Sequence, residues 1–472
     1  MSLCRFAVWS ILIAAPFSTF AGQTIKLSAD SAVALARSQS VAVKASELAL
    51  MAQEKAVMSA AATYLPTLSA NAGATRLIDK ATMGGSLGSG STFSALDLVT
   101  LSRGDKADSA LAQVLDGMFS GMSDAFKTPD NIYNIGLTVS QPLFTGGRIS
   151  KAVKIAKLSH SSQIFTHERT ITEIGLLAQQ IFWGYVILLK KLEADQETRL
   201  WFENLVKDQQ KLFENGLIIE LDVLNSKIQL DNFKLMEERD NNAIASAKSQ
   251  LLLFFNLPAD ADLEVDTSIW RERDADFTPP LPDSVENWLV YREDLQAAKR
   301  QLEMMRCLKG LQLASYAPTV AAFGSLSYGN QYSQRESDLK RNSSVGLSLN
   351  WTLFDWGKTW NEAKKAEYQA QAFELKINNM HDQIKNRINE LARKVQETRN
   401  QREIAKEDME IARRALDIAQ KKYDAQAISN TELLSARNQL TNKTVTYALV
   451  RISAILALEE YKVAPLNTGM SQ

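Results

Sequence analysis

The sequence predicts a mixed α+β membrane protein made from one unit written twice, with amphipathic strands suited to lipid and helices too long for an ordinary globule. Three observations lead there. GLTVSQPLFTGGR (136–148) and GLSLNWTLFDWGK (346–358) are near copies 210 residues apart, each turning from an alternating stretch into a charged helix. Such internal repetition has to be read before any fold is assigned. Around both copies polarity alternates with a period of two. After each comes a run, Gly147–Glu214 and Gly357–Asp424, with no proline and hardly any glycine.

The strands come first. From Ser344, one face carries Val345, Leu347, Leu349, Trp351 and Leu353, and the other Ser344, Gly346, Ser348, Asn350 and Thr352. The first copy sets Ile135, Leu137, Val139 and Leu143 against Asn134, Thr138 and Ser140. A second pair precedes these. ATYLPTLSA (62–70) matches ASYAPTVAA (314–322), and each opens a weaker alternation: Leu68, Ala70 and Ala72, then Val320, Ala322, Leu326 and Tyr328. The polar faces are almost uncharged, and about 10 residues is the length of a tilted transmembrane strand. Tyr64, Phe144, Tyr316, Phe354, Trp356 and Trp360 gather at the strand ends, where aromatic rings suit a water–lipid boundary. A soluble sheet with one wet face gives the same alternation. If the strands lie in lipid, four of them cannot close a barrel and an open edge leaves backbone groups unsatisfied. Copies of the chain must then pool their strands, which makes oligomerisation obligatory.

The helical runs follow. At 1.5 Å per residue each long run reaches about 100 Å. In the first, Ile171, Ile174, Ala178, Ile181, Tyr185, Leu188 and Leu192 step by three and four; in the second, Ala405, Met409, Ala412, Leu416, Ala419 and Tyr423 do the same. That is coiled-coil spacing. Shorter helices are expected over Ser28–Thr63, Glu220–Leu257, Ser284–Ser315 and Asn430–Tyr461. Two of these stacked end to end match one long helix, so both halves make the same antiparallel bundle. FENGLIIELDVLNSKIQL (213–230) and YDAQAISNTELLSARNQL (423–440) keep the 210-residue offset and form two hairpin tips remote from the strands. Asn215-Gly216 is a helix stop, and Ser429 or Asn430 caps the returning helix. The expected organisation is a signal peptide (1–21), a first repeat (22–257), a linker (258–283), a second repeat (284–462) and a tail (463–472).

The N-terminus reads as an export signal. Arg5 precedes an apolar run from Phe6 to Phe17, and Thr19-Phe20-Ala21 offers a cleavage site, a pattern too short for a membrane span; an anchor helix is the other reading. Its removal leaves Cys307 alone, so no intrachain disulfide forms. The nearest approach to a spanning helix, Ile181–Leu189, is too short and reads as helix core. A net charge of −1 gives no basic surplus for nucleic acid. Enzyme chemistry finds no support: there is no Gly-rich phosphate loop, no metal-ligand cluster and no partnered nucleophile. His160 and His167 lie two turns apart, about 10 Å, too far to share one ion, and read as solvated.

With these residues in view, the chain resembles the TolC family of trimeric outer-membrane channels of Gram-negative drug efflux and type I secretion. The likeness spans nearly the whole exported chain. It rests on the junctions QPLFTGGR and TLFDWGK, the Y-x-P strand openings and the tip FENGL, in matching order and spacing. It implies a homotrimer giving four strands per protomer to a 12-stranded outer-membrane barrel, and a helical coiled-coil tunnel across the periplasm. It implies no enzyme activity and no cofactor. It implies docking to a periplasmic adaptor protein that joins the channel to an inner-membrane pump, proton-driven or ABC type. The other reading of the chain is a periplasmic or surface coiled-coil scaffold without channel activity.

By the same resemblance, adaptor contact maps to Gly216, Leu217 and Ile218 in the first tip, with Ala427 and Ile428 in the second, which departs from the pattern by holding Gln426 in place of glycine. The periplasmic gate maps to Glu432, with Asp222 and Tyr423. Threefold symmetry makes Glu432 a ring of three carboxylates whose repulsion raises their pKa. Two readings of Glu432 stand: a gate ring, or a solvated acid favoured by the dipole of its helix. For Asp222 the helix-end reading leads. Phe144, Trp351, Phe354 and Trp356 are the expected membrane-interface aromatics. A long external loop, Asp79–Asn131, with a short helix around Ser109–Phe126, faces a shorter one at Gln331–Asn342. The segment Pro258–Asp283 is expected to join the halves outside the tunnel.

Overall fold

The computed structural model describes residues 25–76, 131–265, 289, 292–330 and 339–464. The predicted signal peptide, the external loop with its short helix, most of the linker and nearly all of the tail lie outside the described residues. The chain divides into two compact units: one gathers residues 55–157 and 304–370, the other 1–54, 158–303 and 371–472.

The first unit holds a four-stranded antiparallel sheet. Numbering strands along the chain, β1 (Ile25–Leu27) and β4 (Leu263–Val265) belong elsewhere, and the sheet is β2 (Thr67–Arg76), β3 (Asn131–Phe144), β5 (Thr319–Gly329) and β6 (Lys340–Asn350), in the order β2-β3-β5-β6. Its register sets Leu137 between Ala70 and Leu326, Ile135 between Ala72 and Tyr328, and Val139 between Leu68 and Gly324, which in turn faces Val345. The predicted apolar alternations therefore fall on one common face. That face is bare: Leu68, Ile135, Leu137, Leu326, Leu347 and Leu349 are all exposed, and Val345 is 91% exposed. The opposite face carries Asn71, Thr138, Ser140, Ser325 and Ser344, with Ser325 and Ser344 hydrogen-bonded at 2.7 Å.

One boundary differs from expectation. The strand predicted to run on to Leu353 ends at Asn350, and it begins at Lys340, inside the predicted second loop. Asn350 pairs with Thr319, the first residue of β5. Pro318 precedes it and has no N–H to offer, so Trp351–Leu353 alternate in sequence but have no ladder to join. Pro142 in β3 sits at a bulge, the register slipping between Pro142 and Phe144, where a missing donor is tolerated.

Strand-to-helix junctions repeat the same backbone twice. Gly146 and Trp356, 210 residues apart, have φ of 60° and 55°, and Gly147 and Gly357 have 83° and 77°. Left-handed backbone favours glycine, but only the first junction requires it sterically. A Cβ on Gly146 would lie 2.2 Å from Ala317 Cβ and 2.9 Å from the Ala314 carbonyl. Trp356 is 88% exposed, so its side chain meets no such wall.

The second unit is helical. The helices are α1 (Ala29–Gln39), α2 (Val41–Ala62), α3 (Arg148–Glu214), α4 (Glu220–Phe254), α5 (Glu293–Leu313), α6 (Lys358–Asp424) and α7 (Asn430–Val463); α3 and α6 have 67 residues each. Parts of α2, α3, α5 and α6 belong to the first unit. The predicted single helix over Ser28–Thr63 is two. Ser40, buried, leaves helical backbone at ψ 132°, and serine has a standing preference for helix ends over interiors. Ser28 opens α1 with a capping box to Ser31. An element absent from the sequence reading joins the start of α1 to the end of α4: β1 pairs in parallel with β4. Beneath it lies a core of Ala29, Ala32, Phe182, Trp183, Leu251 and Ile455, among others.

The stripe predicted on α3 holds in part: its Ala178 and Tyr185 are buried, and the buried side extends one position beyond it. Thr172, Gly175, Phe182 and Val186 are buried, whereas Ile171, Ile174 and Ile181 are half-buried. The segment is apolar nearly all round, so neighbouring helices choose its inner side. Among the described helices α3 alone is long and apolar enough by composition to cross a membrane; its Ile181–Leu189 stretch instead supplies core, as expected. On α6 the expected positions Ala405 and Ala412 are buried. His167 corrects the solvated reading: its Nδ1 lies 2.7 Å from the Ser46 hydroxyl.

Gly146→Ala should destabilise the protein by about 2 kcal/mol or more, the sum of left-handed strain and displacement of Ala317. The check is a drop in the chemical-denaturation midpoint, compared with an alanine at Gly184, where a Cβ meets nothing within 4 Å.

Candidate functional site at the hairpin tips

Both long helices end on the same hydrogen bonds. The Gly216 N–H donates to Phe213 O (2.8 Å) and that of Leu217 to Leu212 O (2.9 Å); Gln426 donates to Tyr423 O (2.8 Å) and Ala427 to Lys422 O (2.8 Å). This closes orphan carbonyls at each helix end through a left-handed residue. Gly216 has φ 73° and Gln426 has φ 55°. Gln426, the departure noted in the sequence, therefore keeps the glycine backbone. Leu217 and Ala427 are exposed, and Ile218 and Ile428 half-buried.

The returning helices start differently. Ile219 precedes α4 with no side-chain cap, while Ser429 caps α7 in a capping box with Glu432. The Glu432 carboxylate accepts from the Ser429 N–H (2.8 Å) and hydroxyl (3.0 Å). These bonds hold its pKa below the ordinary range, opposite in direction to the repulsion expected of a carboxylate ring. Asp222 lies in the first turn of α4, and its carbonyl accepts from Asn430 Nδ2 at 2.9 Å.

Tyr423 is the hub on the second hairpin. Its hydroxyl accepts from Gln209 Nε2 (2.8 Å), which also donates to Asn430 Oδ1 (2.9 Å); Asn430 reaches Ser226 Oγ at 3.2 Å. Burial pushes the Tyr423 phenol up. Gln209, Ser226 and Asn430 are buried, so the two hairpins are tied by side-chain hydrogen bonds sheltered from water, each costly to leave unmade. The sequence reading missed Gln209 and Ser226. Their signal was a polar residue on an apolar stripe: Gln209 follows Phe202 and Leu205 at steps of three and four, and Ser226 sits between Val223 and Leu230.

Further along, Lys191 bridges Asp240 and, at 3.4 Å, Asp195. Both carboxylates are buried. Burial, and a hydrogen bond shared with Asp240, raise Asp195 to about 6 against the pull of Lys191. The expected membrane-interface aromatics Phe144, Trp351, Phe354 and Trp356 are all exposed. Trp351 Nε1 donates to Tyr316 O (3.0 Å), and Phe354 meets Trp356 edge-on at 4.9 Å. Among the described residues no group of three metal-ligating side chains occurs.

The sequence matches the family described as outer membrane efflux protein over residues 32–255 and 285–460. The chain belongs to that family. Outer membrane efflux proteins include the TolC group that its motifs resemble, and they are transport conduits of the outer membrane, not enzymes. No curated protein matches the sequence. Solved structures share the fold. The outer membrane protein VceC of Vibrio cholerae is 16% identical with a TM-score of 0.66, covering 93% of this chain and 96% of its own. The Campylobacter jejuni CmeC outer membrane channel is 15% identical with a TM-score of 0.69, covering 92% and 85%. The Neisseria gonorrhoeae MtrE outer membrane channel is 14% identical with a TM-score of 0.61, covering 92% and 88%.

Gln209→Ala should loosen the tie between hairpins by about 1–3 kcal/mol, read as faster amide hydrogen exchange at 213–220 and 423–432 with the sheet unchanged. Because the Asp195 pKa is raised on folding, the native state binds the extra proton, so this group's contribution to stability is fully present below about pH 4 and is lost as pH rises through about 6. Asp195→Asn should flatten that slope in denaturation midpoints measured between pH 4 and 7.

Proposed function

We propose that three copies of this outer membrane efflux protein form an exit duct: a 12-stranded barrel in the outer membrane continued by a helical tunnel in the periplasm. The observation that carries the reading is the four-stranded sheet with one exposed apolar face and one polar face. Apolar-out, polar-in alternation is what a membrane barrel needs. All four strands are antiparallel in sequence of pairing, so β6 of one copy meets β2 of the next antiparallel and the pattern closes without a break. The pooled edges leave no backbone group facing lipid. Phe144, Trp351, Phe354 and Trp356 then belong to the aromatic belt at the membrane surface.

At the far end, the exposed turns Gly216-Leu217-Ile218 and Ala427-Ile428 offer apolar knobs to a periplasmic adaptor, which couples the duct to an inner-membrane pump. Glu432 and Asp222 ring the entrance, and Tyr423, held by Gln209, latches one hairpin to the other. Opening requires the buried hydrogen bonds of Gln209 and Asn430 to exchange partners. The duct supplies the path and the gate, and the pump supplies the energy for small molecules or proteins leaving the cell. An N-terminal signal peptide brings the chain to the periplasm.

Purified trimers in a planar bilayer should pass ions, and Glu432→Ala should weaken block by divalent cations applied from the tip side. Correctly trimeric protein that never conducts would sink the duct reading, and unchanged block would remove Glu432 from the gate.

A further inference from the structure

The strands of the four-stranded sheet carry charge at one end only. Their charged residues are Arg76 on β2 and Lys340 and Arg341 on β6, all basic and all at the end away from the helix junctions. Register decides the face each one takes. Arg341 pairs with Tyr328, Tyr328 with Ile135 and Ile135 with Ala72, and Arg76 lies four residues beyond Ala72. Side chains alternate along a strand. Both arginines therefore stand on the apolar face with Leu68, Leu137 and Val345, and Lys340 takes the polar face. Three strand spacings across and four residues along, Arg76 and Arg341 are about 20 Å apart. Both are exposed, and among the described residues neither has a carboxylate partner.

The face between them is hollow. Ala72 and Ala74 of β2 lie low on it, and Tyr133, Ile135, Tyr328 and Leu339 stand around a space of about 350 Å³ beside them. Tyrosine rings suit the headgroup level of a membrane. A cation that merely lifts its charge into water needs neither a hollow beside it nor one particular end of the sheet. Here both cations of the apolar face flank the same hollow, and the junction end of the strands has none.

Resting on the barrel reading above, we propose that this end of the sheet is a binding site for a phosphorylated lipid of the outer leaflet, with acyl carbons in the hollow and phosphates on Arg76 and Arg341. With the helices in the periplasm, the end away from them meets the outer leaflet. Basic residues at a membrane surface attract anionic lipid, and the planar fork of arginine matches two phosphate oxygens at once. The separation of the two guanidinium groups suits a headgroup with a phosphate at each end better than one with a single phosphate. Complementary charge and an apolar hollow side by side call for one amphiphile, not for a free anion.

The test uses trimers of the full chain in neutral detergent, with native mass spectrometry counting bound lipid. Lipid A with both phosphates should bind at one molecule per copy, and the same lipid stripped of phosphate should not. Arg76→Gln and Arg341→Gln should each weaken binding about tenfold or more. Ala74→Leu, which fills the hollow, should weaken it with both arginines in place, and Lys340→Gln, on the other face, should leave it unchanged. Binding that ignores the phosphates or survives loss of both arginines overturns the site. An equal loss with Lys340→Gln also overturns it, as general charge attraction, and displacement of the lipid by inorganic phosphate overturns it in favour of a plain anion site. A bimane on Val345→Cys, in a chain with Cys4→Ser and Cys307→Ser, should be quenched by brominated acyl chains. Quenching without phosphate-dependent binding overturns the site and leaves the barrel standing; no quenching overturns the barrel reading and the site with it.

Discussion

A strand's backbone must be paired wherever water is excluded, and that requirement governs how this chain is built. β2 and β6 stand at the edges of the four-stranded sheet, one side of each without a neighbouring strand among the described residues. The apolar face they share has no cover within the chain. On the proposed trimer, lipid supplies the cover and sister copies supply the edges.

Duplication preserved backbone more strictly than side chain. The left-handed residue at each junction and each tip recurs at the same offset, as Gly146 and Trp356, then Gly216 and Gln426. Hydrogen bonds at both tips coincide in pattern and nearly in length. Side chains diverged where space allowed: Gly146 is walled in by Ala317, while Trp356 projects outward. The returning helices diverged as well, Ser429 and Glu432 forming a capping box where the first repeat has Ile219. The asymmetry puts a fixed carboxylate at one tip of each copy.

Polar groups buried among the helices set which contacts can rearrange. Apolar seams slide and repack at modest cost, but Gln209, Asn430 and Ser226 hold specific partners and lose them only by finding others. The Lys191, Asp195 and Asp240 cluster adds a titrating element between α3 and α4. The proposed duct has to be sealed at rest and open when engaged. A few directional bonds near the tip, set in an otherwise apolar interface, suit that demand better than more leucine.

Local spacing carried much of the fold in the sequence. Period two marked the strands, steps of three and four marked the helices, and the 210-residue offset set both tips and both junctions, because each depends on residues a few places apart. Glu432, Asp222, Tyr423 and the tip residues were legible only through likeness to a family. Tertiary structure decided the rest: that α3 buries Phe182 more deeply than Ile181, that β6 stops at Asn350 for want of a partner beyond Pro318, that Ser40 breaks a helix, and that β1 finds β4. Gln209 looked like a flaw in an apolar stripe until Tyr423 and Asn430 stood beside it. A pattern along the chain says which groups need a partner; only packing between distant segments says which partner each receives.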